Sequence, residues 1–428
     1  MAARSRMLNV ADLCRGAAAL LVFTANAQAG SVPPSDPWAG DGGAPGFYSW
    51  SDLLASPPGT MLRHEPLPVA FSLPAAGRAE RILYVSSDWK DGHAITVSGA
   101  VYFPMGNAPP GGWPIVAWAH GTTGVADVCA PSLRPHSTSD SAYLDAWLEQ
   151  GYAVVATDYP GLGTPGPHPY LLYRPEGLAV LDSIRAGLGA WPALLKNQAV
   201  AVGQSQGAGA ALGAGYLSRS YASGVNLVGV VATGIVAAVA DVKGAPQLPQ
   251  TDFYADPDYY DAAFAMLHFL GTDRAIDPSI DPDKYVSKIG RPLLHSGLSA
   301  CMSDMVNVAK AGGVTAASIY KKSVAALDRM ETVHGSFPTA EIPVPVFVGT
   351  GLADSAAGTT GQYNFVSAMC RAGVTVDWRY YPHATHTSAV NRSLEHSKPF
   401  VAALMAGRPV ESRCAALVPP GPLQTPVE

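Results

Sequence analysis

The chain has 428 residues, 48% hydrophobic and only 14% charged, which excludes a disordered polymer or a solvated coiled coil and leaves room for one large α/β unit with an insertion. With 27 basic against 33 acidic residues the formal net charge is −6, and no run of Lys or Arg forms a patch for nucleic acid or anionic lipid.

Residues 1–29 read as an export signal: Arg4, Arg6 and Arg15 precede or flank a short apolar stretch, Ala17 to Phe23, and the small-residue site Ala27-Gln28-Ala29 stands before Gly30. A buried N-terminal helix is the competing reading, because Asp12 and Cys14 sit awkwardly in a signal. The apolar stretch is too short to span a bilayer and no later run has spanning length, so a secreted or periplasmic protein without a transmembrane segment is expected. Removing the segment leaves a net charge of −8. It also removes Cys14 and leaves Cys129, Cys301, Cys370 and Cys414. An even number in an exported chain favours two disulfides, with three pairings open, over a zinc site, because no two lie at C-x2-C spacing.

Residues 30–80 are rich in Pro and Gly, with an amphipathic patch from Phe47 to Leu54, and read as an arm wrapped on a core. From residue 81 the pattern turns strand-like: Ile82 to Ser87 and Ala94 to Phe103 are joined by the hairpin signal Asp91-Gly92. Short, fully apolar runs follow at Pro114 to Ala119, Tyr152 to Thr157, Ala199 to Val202 and Leu227 to Ala232, as expected for parallel strands covered on both faces. Helical periodicity over Asp140 to Gln150 and Glu176 to Leu188 separates the first three, which implies a doubly wound sheet.

From 237 to 342 the rhythm breaks. Tyr254, Asp256, Asp258, Tyr259, Tyr260, Asp261, Met266, Phe269 and Leu270 lie among helical patterns with few strand signals, and the stretch reads as an inserted helical cap. Strands resume at Val344 to Val348 and Val374 to Tyr381 around a helix from Gln362 to Ala372; a last helix covers Ser388 to Ala406, and no internal repeat is present. The division is thus a core in two parts, 81–236 and 343–417, with the cap between them and a Pro-rich tail, 418–428.

One motif carries chemistry. Gly203-Gln204-Ser205-Gln206-Gly207 follows the strand at Ala199 and precedes a helix opening with Ala208, Gly209, Ala210 and Ala211. With 44 glycines in the chain, G-x-S-x-G alone could arise by chance, but between a strand and a small-residue helix it is a nucleophile elbow. A serine hydroxyl needs a base, and that base an orienting acid, in the chain order serine, acid, histidine. The strand at Val344 runs into Gly349-Thr350-Gly351-Leu352-Ala353-Asp354, which nominates Asp354, with Asp241 as the alternative acid. After the final strand, His383 and His386 compete; His386 is preferred because several residues of loop are needed to bring the ring back across the sheet edge. Oxyanion donors are expected from the Gln206 N–H and from His120-Gly121-Thr122-Thr123-Gly124, where Thr122 leads and Thr123 is next. A His-x-x-His metal pair at 383 and 386 is disfavoured, because no third ligand has suitable spacing. The segment Asp158-Tyr159-Pro160-Gly161-Leu162-Gly163-Thr164 suits a close-packed loop beside the site.

These segments, with Pro58-Gly59-Thr60-Met61-Leu62-Arg63 and Cys129-Ala130-Pro131-Ser132, resemble the secretory lipases of the fungal lipase A type and their bacterial relatives, over most of the chain. The elbow is common to many hydrolases; H-G-T-T-G followed by C-A-P-S is much more particular. The resemblance implies an α/β-hydrolase fold with a helical lid, a Ser205–Asp354–His386 triad, pairs Cys129–Cys301 and Cys370–Cys414, and metal-independent hydrolysis without a cofactor. The expected partner is an ester or lipid substrate, taken up at a lipid–water interface if at all, by a monomer. The alternatives are a peptidase or acyltransferase using the same triad, and a binding protein that keeps the fold without catalysis.

Overall fold

A computed structural model describes residues 36–249 and 259–427. The export signal expected at 1–29, and Tyr254, Asp256 and Asp258 of the cap, lie outside the described residues. Eleven strands are present among them: β1 (Met61–Pro66), β2 (Ala76–Ser87), β3 (Ala94–Pro104), β4 (Trp113–Ala119), β5 (Ala153–Thr157), β6 (Leu195–Gln204), β7 (Leu227–Thr233), β8 (Val239–Asp241), β9 (Phe337–Thr339), β10 (Val346–Gly351) and β11 (Val376–Tyr381). Nine of them form one sheet in the order β1-β2-β3-β5-β4-β6-β7-β10-β11; β8 and β9 pair separately. The first three strands are antiparallel neighbours, β3 meets β5 antiparallel, and every pair from β5 to β11 is parallel.

Strand alternation divides the core into two apolar layers. Ile115, Ala117, Ala199, Ala201, Val346 and Val348 face α2 (Tyr173–Ala190), α3 (Gln206–Tyr221) and α11 (Thr359–Arg371). Val116, Trp118, Val200, Val202 and Phe347 face α1 (Thr138–Leu148) and α12 (Ser388–Met405). Because each strand is covered twice, it reads in sequence as an unbroken apolar run.

Between β7 and β10 lie α4 (Tyr259–Leu267), α5 (Arg274–Ile276), α6 (Pro282–Tyr285), α7 (Arg291–Gly297), α8 (Met302–Gly312), α9 (Ala316–Ile319) and α10 (Ala325–Gly335), with a π-helical turn at His268–Asp273. These helices pack Met266, Phe269, Leu270, Leu293, Leu294 and Met305 into a separate apolar cluster that also takes in Val125 and Tyr170. Two disulfides join Cys129 to Cys301 and Cys370 to Cys414, the pairs that the resemblance implied. The first ties the loop after β4 to the start of α8; the second ties the end of α11 to the C-terminal segment. No described helix is long and apolar enough to cross a membrane.

Candidate active site

The chain passes from β4 outward to β5, then returns across to β6 on the other flank of β4, so the strand order reverses between β4 and β6. Two loops diverge at such a reversal and leave a crevice outside the carboxyl ends of the strands. The loop of Gly121 and Thr122 leaves β4 there, and Ser205 leaves β6.

Ser205 has φ 58° and ψ −121°, a region costly for any residue with a side chain and sustained only by tight surroundings. The glycines on either side supply them. A Cβ on Gly203 would stand 1.9 Å from the Gly207 carbonyl oxygen, and one on Gly207 1.9 Å from that of Ala119, so neither position admits alanine. At Gly121 a Cβ would meet the tip of the Gln204 side chain, Oε1, at 2.4 Å, a contact that the side chain can relieve by moving. The bend leaves Ser205 half-buried at the first turn of α3, where the Gln206 N–H has no acceptor within its own helix.

Asp354 is fully buried on the loop after β10. Its Oδ1 accepts the N–H groups of Ala356 (3.0 Å) and Ala357 (2.9 Å). Its Oδ2 accepts Gln362 Nε2–H and His386 Nδ1–H, both at 2.9 Å. Burial alone would raise this carboxyl, but the neighbouring His386 ring and these donors outweigh it and hold the pKa below the usual 3.8. Gln362 is itself fixed: Trp378 Nε1–H donates to Thr350 Oγ1 (2.9 Å), and the Thr350 hydroxyl donates to Gln362 Oε1 (2.8 Å).

The loop after β11 is laced to the Asp354 loop by Leu352 N–H to Tyr381 O (3.0 Å) and Ala353 N–H to Ala384 O (2.9 Å). His386 thereby comes to lie against Gly234, where a Cβ would stand 2.7 Å from its Cε1 and 2.8 Å from its Nδ1. Gly234 directly follows Thr233, whose carbonyl accepts the Ser205 N–H at 3.0 Å. Serine, imidazole and carboxylate thus gather on one short stretch of the sheet edge. His386 gives Nδ1–H to the carboxylate, and Nε2 is the ring nitrogen left outside that bond.

The competing residues go elsewhere. His383 is exposed, with φ 60°, and its Nδ1 is bonded to Thr425 O at 3.0 Å. Asp241 is exposed on β8, outside the main sheet, and accepts the Lys243 N–H. Among the oxyanion candidates, Thr122 is half-buried with its Oγ1 on the Tyr170 hydroxyl (2.9 Å), and the Thr123 carbonyl accepts the Met302 N–H (2.9 Å) at the cap. Asp158 is buried and bonded by the Ser98 and Ser132 hydroxyls, which joins the Asp158–Thr164 segment to β3 and to C-A-P-S; Tyr159 donates to His120 O at 3.0 Å. One group of described residues has metal-ligand spacing, Asp88, Asp91 and His93 on the exposed β2–β3 hairpin, and none of them belongs to the Ser205 constellation.

Sequence reasoning missed Tyr170, the Trp378–Thr350–Gln362 relay, and His168 with Glu176 behind Gln206. Only Glu176 left a trace: it is a carboxylate within a helical stretch otherwise made largely of small and apolar residues.

The secretory lipase family profile matches residues 135–390. The Lipase A of Arthroderma benhamiae is 24% identical over 393 residues, covering 84% of this chain and 77% of that protein. The Lipase A of Moesziomyces aphidis is 25% identical over 320 residues, covering 68% and 65%. Among solved structures, Candida antarctica lipase A in its closed state superposes with a TM-score of 0.67 at 19% identity over 85% of each chain. The rice cell wall degrading esterase LipA from Xanthomonas oryzae reaches 0.59 at 17% identity, covering 81% of this chain and 98% of its own. The structural likenesses carry the α/β-hydrolase fold; the profile covers more than half of the sequence, and the chain belongs to the secretory lipase family of carboxylic ester hydrolases.

Proposed function

We propose that this protein cleaves carboxylic esters by attack of Ser205 on the carbonyl carbon, with His386 as base and then acid and Asp354 as the group that orients and stabilises the imidazolium. The observation that carries the reading is the hydrogen bond from half-buried His386 to fully buried Asp354, held against the strand end that anchors Ser205. In the first step His386 Nε2 takes the Ser205 proton, the tetrahedral oxyanion receives the N–H groups of Gln206 and Thr122, and the protonated imidazole releases the alcohol. Water, deprotonated by the same nitrogen, then cleaves the acyl-enzyme. No metal or cofactor enters a step. Triacylglycerols and simpler esters both fit this chemistry, and export with cleavage after Ala29 belongs to the same reading.

A fluorophosphonate probe should label the wild type and leave Ser205→Ala unlabelled, and the variant should lose p-nitrophenyl ester turnover. Equal labelling of both would remove Ser205 as the nucleophile. A chain-length series of triglycerides and p-nitrophenyl esters on the same preparation separates a lipase from a short-chain esterase.

A further inference from the structure

Behind the first turn of α3 lies a buried acid–amide pair that the hydrolytic steps do not use. Glu176, in the first turn of α2, and Gln206, the residue after Ser205, are both fully buried. Gln206 Nε2 donates to Glu176 Oε1 and to His168 Nε2, each at 2.8 Å. His168 accepts there because its Nδ1–H is committed to the Pro160 carbonyl (2.8 Å), and burial keeps the ring neutral, with a pKa down at about 3. Glu176 Oε1 also receives the Leu171 N–H at 3.0 Å.

Two oxygens are left over. Glu176 Oε2 and Gln206 Oε1 are buried without a hydrogen-bond partner, and they are the remaining atoms of two groups already joined at their other ends. Two acceptors cannot satisfy each other, but a proton on Glu176 Oε2 supplies the donor that the acid–amide pair lacks. The surroundings favour that proton. Burial drives the Glu176 carboxyl well above its usual value. The titratable groups packed around it, His168, Tyr159 and, beyond Tyr159, His120, are each pushed by burial toward their neutral forms, so none offers a counter-charge.

Backbone packing and the Ser205 N–H bond to Thr233 O hold the bend itself, but few side chains of the elbow can add to them. Gly203 and Gly207 have no side chains, the Ser205 hydroxyl must stay free to react, and Gln204 belongs to the strand before the bend. On the helical side of the elbow the Gln206 side chain is the one that makes side-chain hydrogen bonds, and the backbone N–H of the same residue is the proposed oxyanion donor. We propose that Glu176 is the positioning residue of the oxyanion hole, clamping the Gln206 side chain and so fixing the direction of the Gln206 N–H. This rests on the Ser205 mechanism proposed above.

The test compares Glu176→Leu and Glu176→Gln with wild type and with Ser205→Ala, reading kcat and KM on a p-nitrophenyl ester from neutral to strongly alkaline pH, with thermal midpoints as a folding check. Leucine should lower kcat by about 10- to 100-fold with KM nearly unchanged, because the donor acts only on the transition state. Glutamine keeps the acceptor and replaces the O–H by an N–H, so kcat should stay within about threefold of wild type. The wild type should lose kcat at alkaline pH as Glu176 ionises beside the developing oxyanion; Glu176→Gln should lack that fall. If Glu176→Leu does not fold, the two pH profiles decide. Wild-type kcat in the leucine variant, equal damage in both variants, or an unchanged alkaline limb in Glu176→Gln each overturns the proposal. Turnover surviving in Ser205→Ala overturns the nucleophile assignment instead.

Discussion

At the scale of single residues, the Asp354 carboxylate is the most heavily constrained group in the candidate site, with two backbone and two side-chain donors converging on it. Asparagine keeps the shape but cannot stabilise an imidazolium, so Asp354→Asn should lower kcat by roughly 10³- to 10⁴-fold, measured with saturating ester. The same carboxyl sets a pH dependence of stability. Its folded pKa lies below the usual 3.8, so its contribution is present above that value and is lost as the pH falls through the folded one. Urea unfolding should show wild type more stable than Asp354→Asn at neutral pH, with the gap narrowing in strong acid; a constant gap would mean that the carboxylate charge is not what stabilises. The Asp354–His386 pairing could be anticipated because chain order and strand ends restrict where an acid and a base can stand. The choice of His386 over His383 needed only a count of loop residues. Glu176 was not legible as a partner of Gln206, since burial of a carboxylate depends on which helix crosses which, and no periodicity records that.

At the scale of elements, the ends of β6, β7, β10 and β11 present Ser205, Gly234, Asp354 and His386 along one edge, and Gly234 is the element junction most exposed to a conservative change. It has φ 59°, and a methyl group there would collide with His386. Gly234→Ala should cost about 1–2 kcal/mol in stability from the backbone alone. It should also lower kcat by on the order of 10²-fold through displacement of the imidazole, with the fold kept by circular dichroism. The parallel strands were readable because burial on both faces makes them uniformly apolar. β1 was not: it runs Met61-Leu62-Arg63-His64-Glu65-Pro66, an outer strand whose second half is exposed, and the prolines around it read as arm. It is held by backbone pairing to β2, from Met61↔Tyr84 to Pro66↔Glu80, with no apolar alternation to announce it. β2 likewise starts at Ala76, six residues before the apolar run at Ile82 that signalled it. In the cap, short helices packed on a separate apolar cluster left helical periodicity without visible boundaries.

At the scale of the whole molecule, the two disulfides differ in exposure. Cys129 and Cys301 are buried, whereas Cys370 and Cys414 are partly accessible near the C-terminal segment. Exchange requires a thiolate to reach sulfur, so a mild reductant should open Cys370–Cys414 first, as read by alkylation and mass spectrometry, with ester turnover retained. Replacing both Cys129 and Cys301 by alanine should cost more, about 2–5 kcal/mol, because that bond spans 172 residues and crosses from core to cap. The Cys129–Cys301 bond also limits how the cap can move. It sits where the Thr123 carbonyl holds the Met302 N–H and where Gly124 packs on Cys129 Sγ, beside the loop proposed to receive the oxyanion. Any displacement of the α4–α10 segment therefore keeps residue 301 as a fixed covalent point on the loop after β4. Thr122, proposed to supply an oxyanion donor, stays one residue from the Thr123 carbonyl that holds the Met302 N–H at that point.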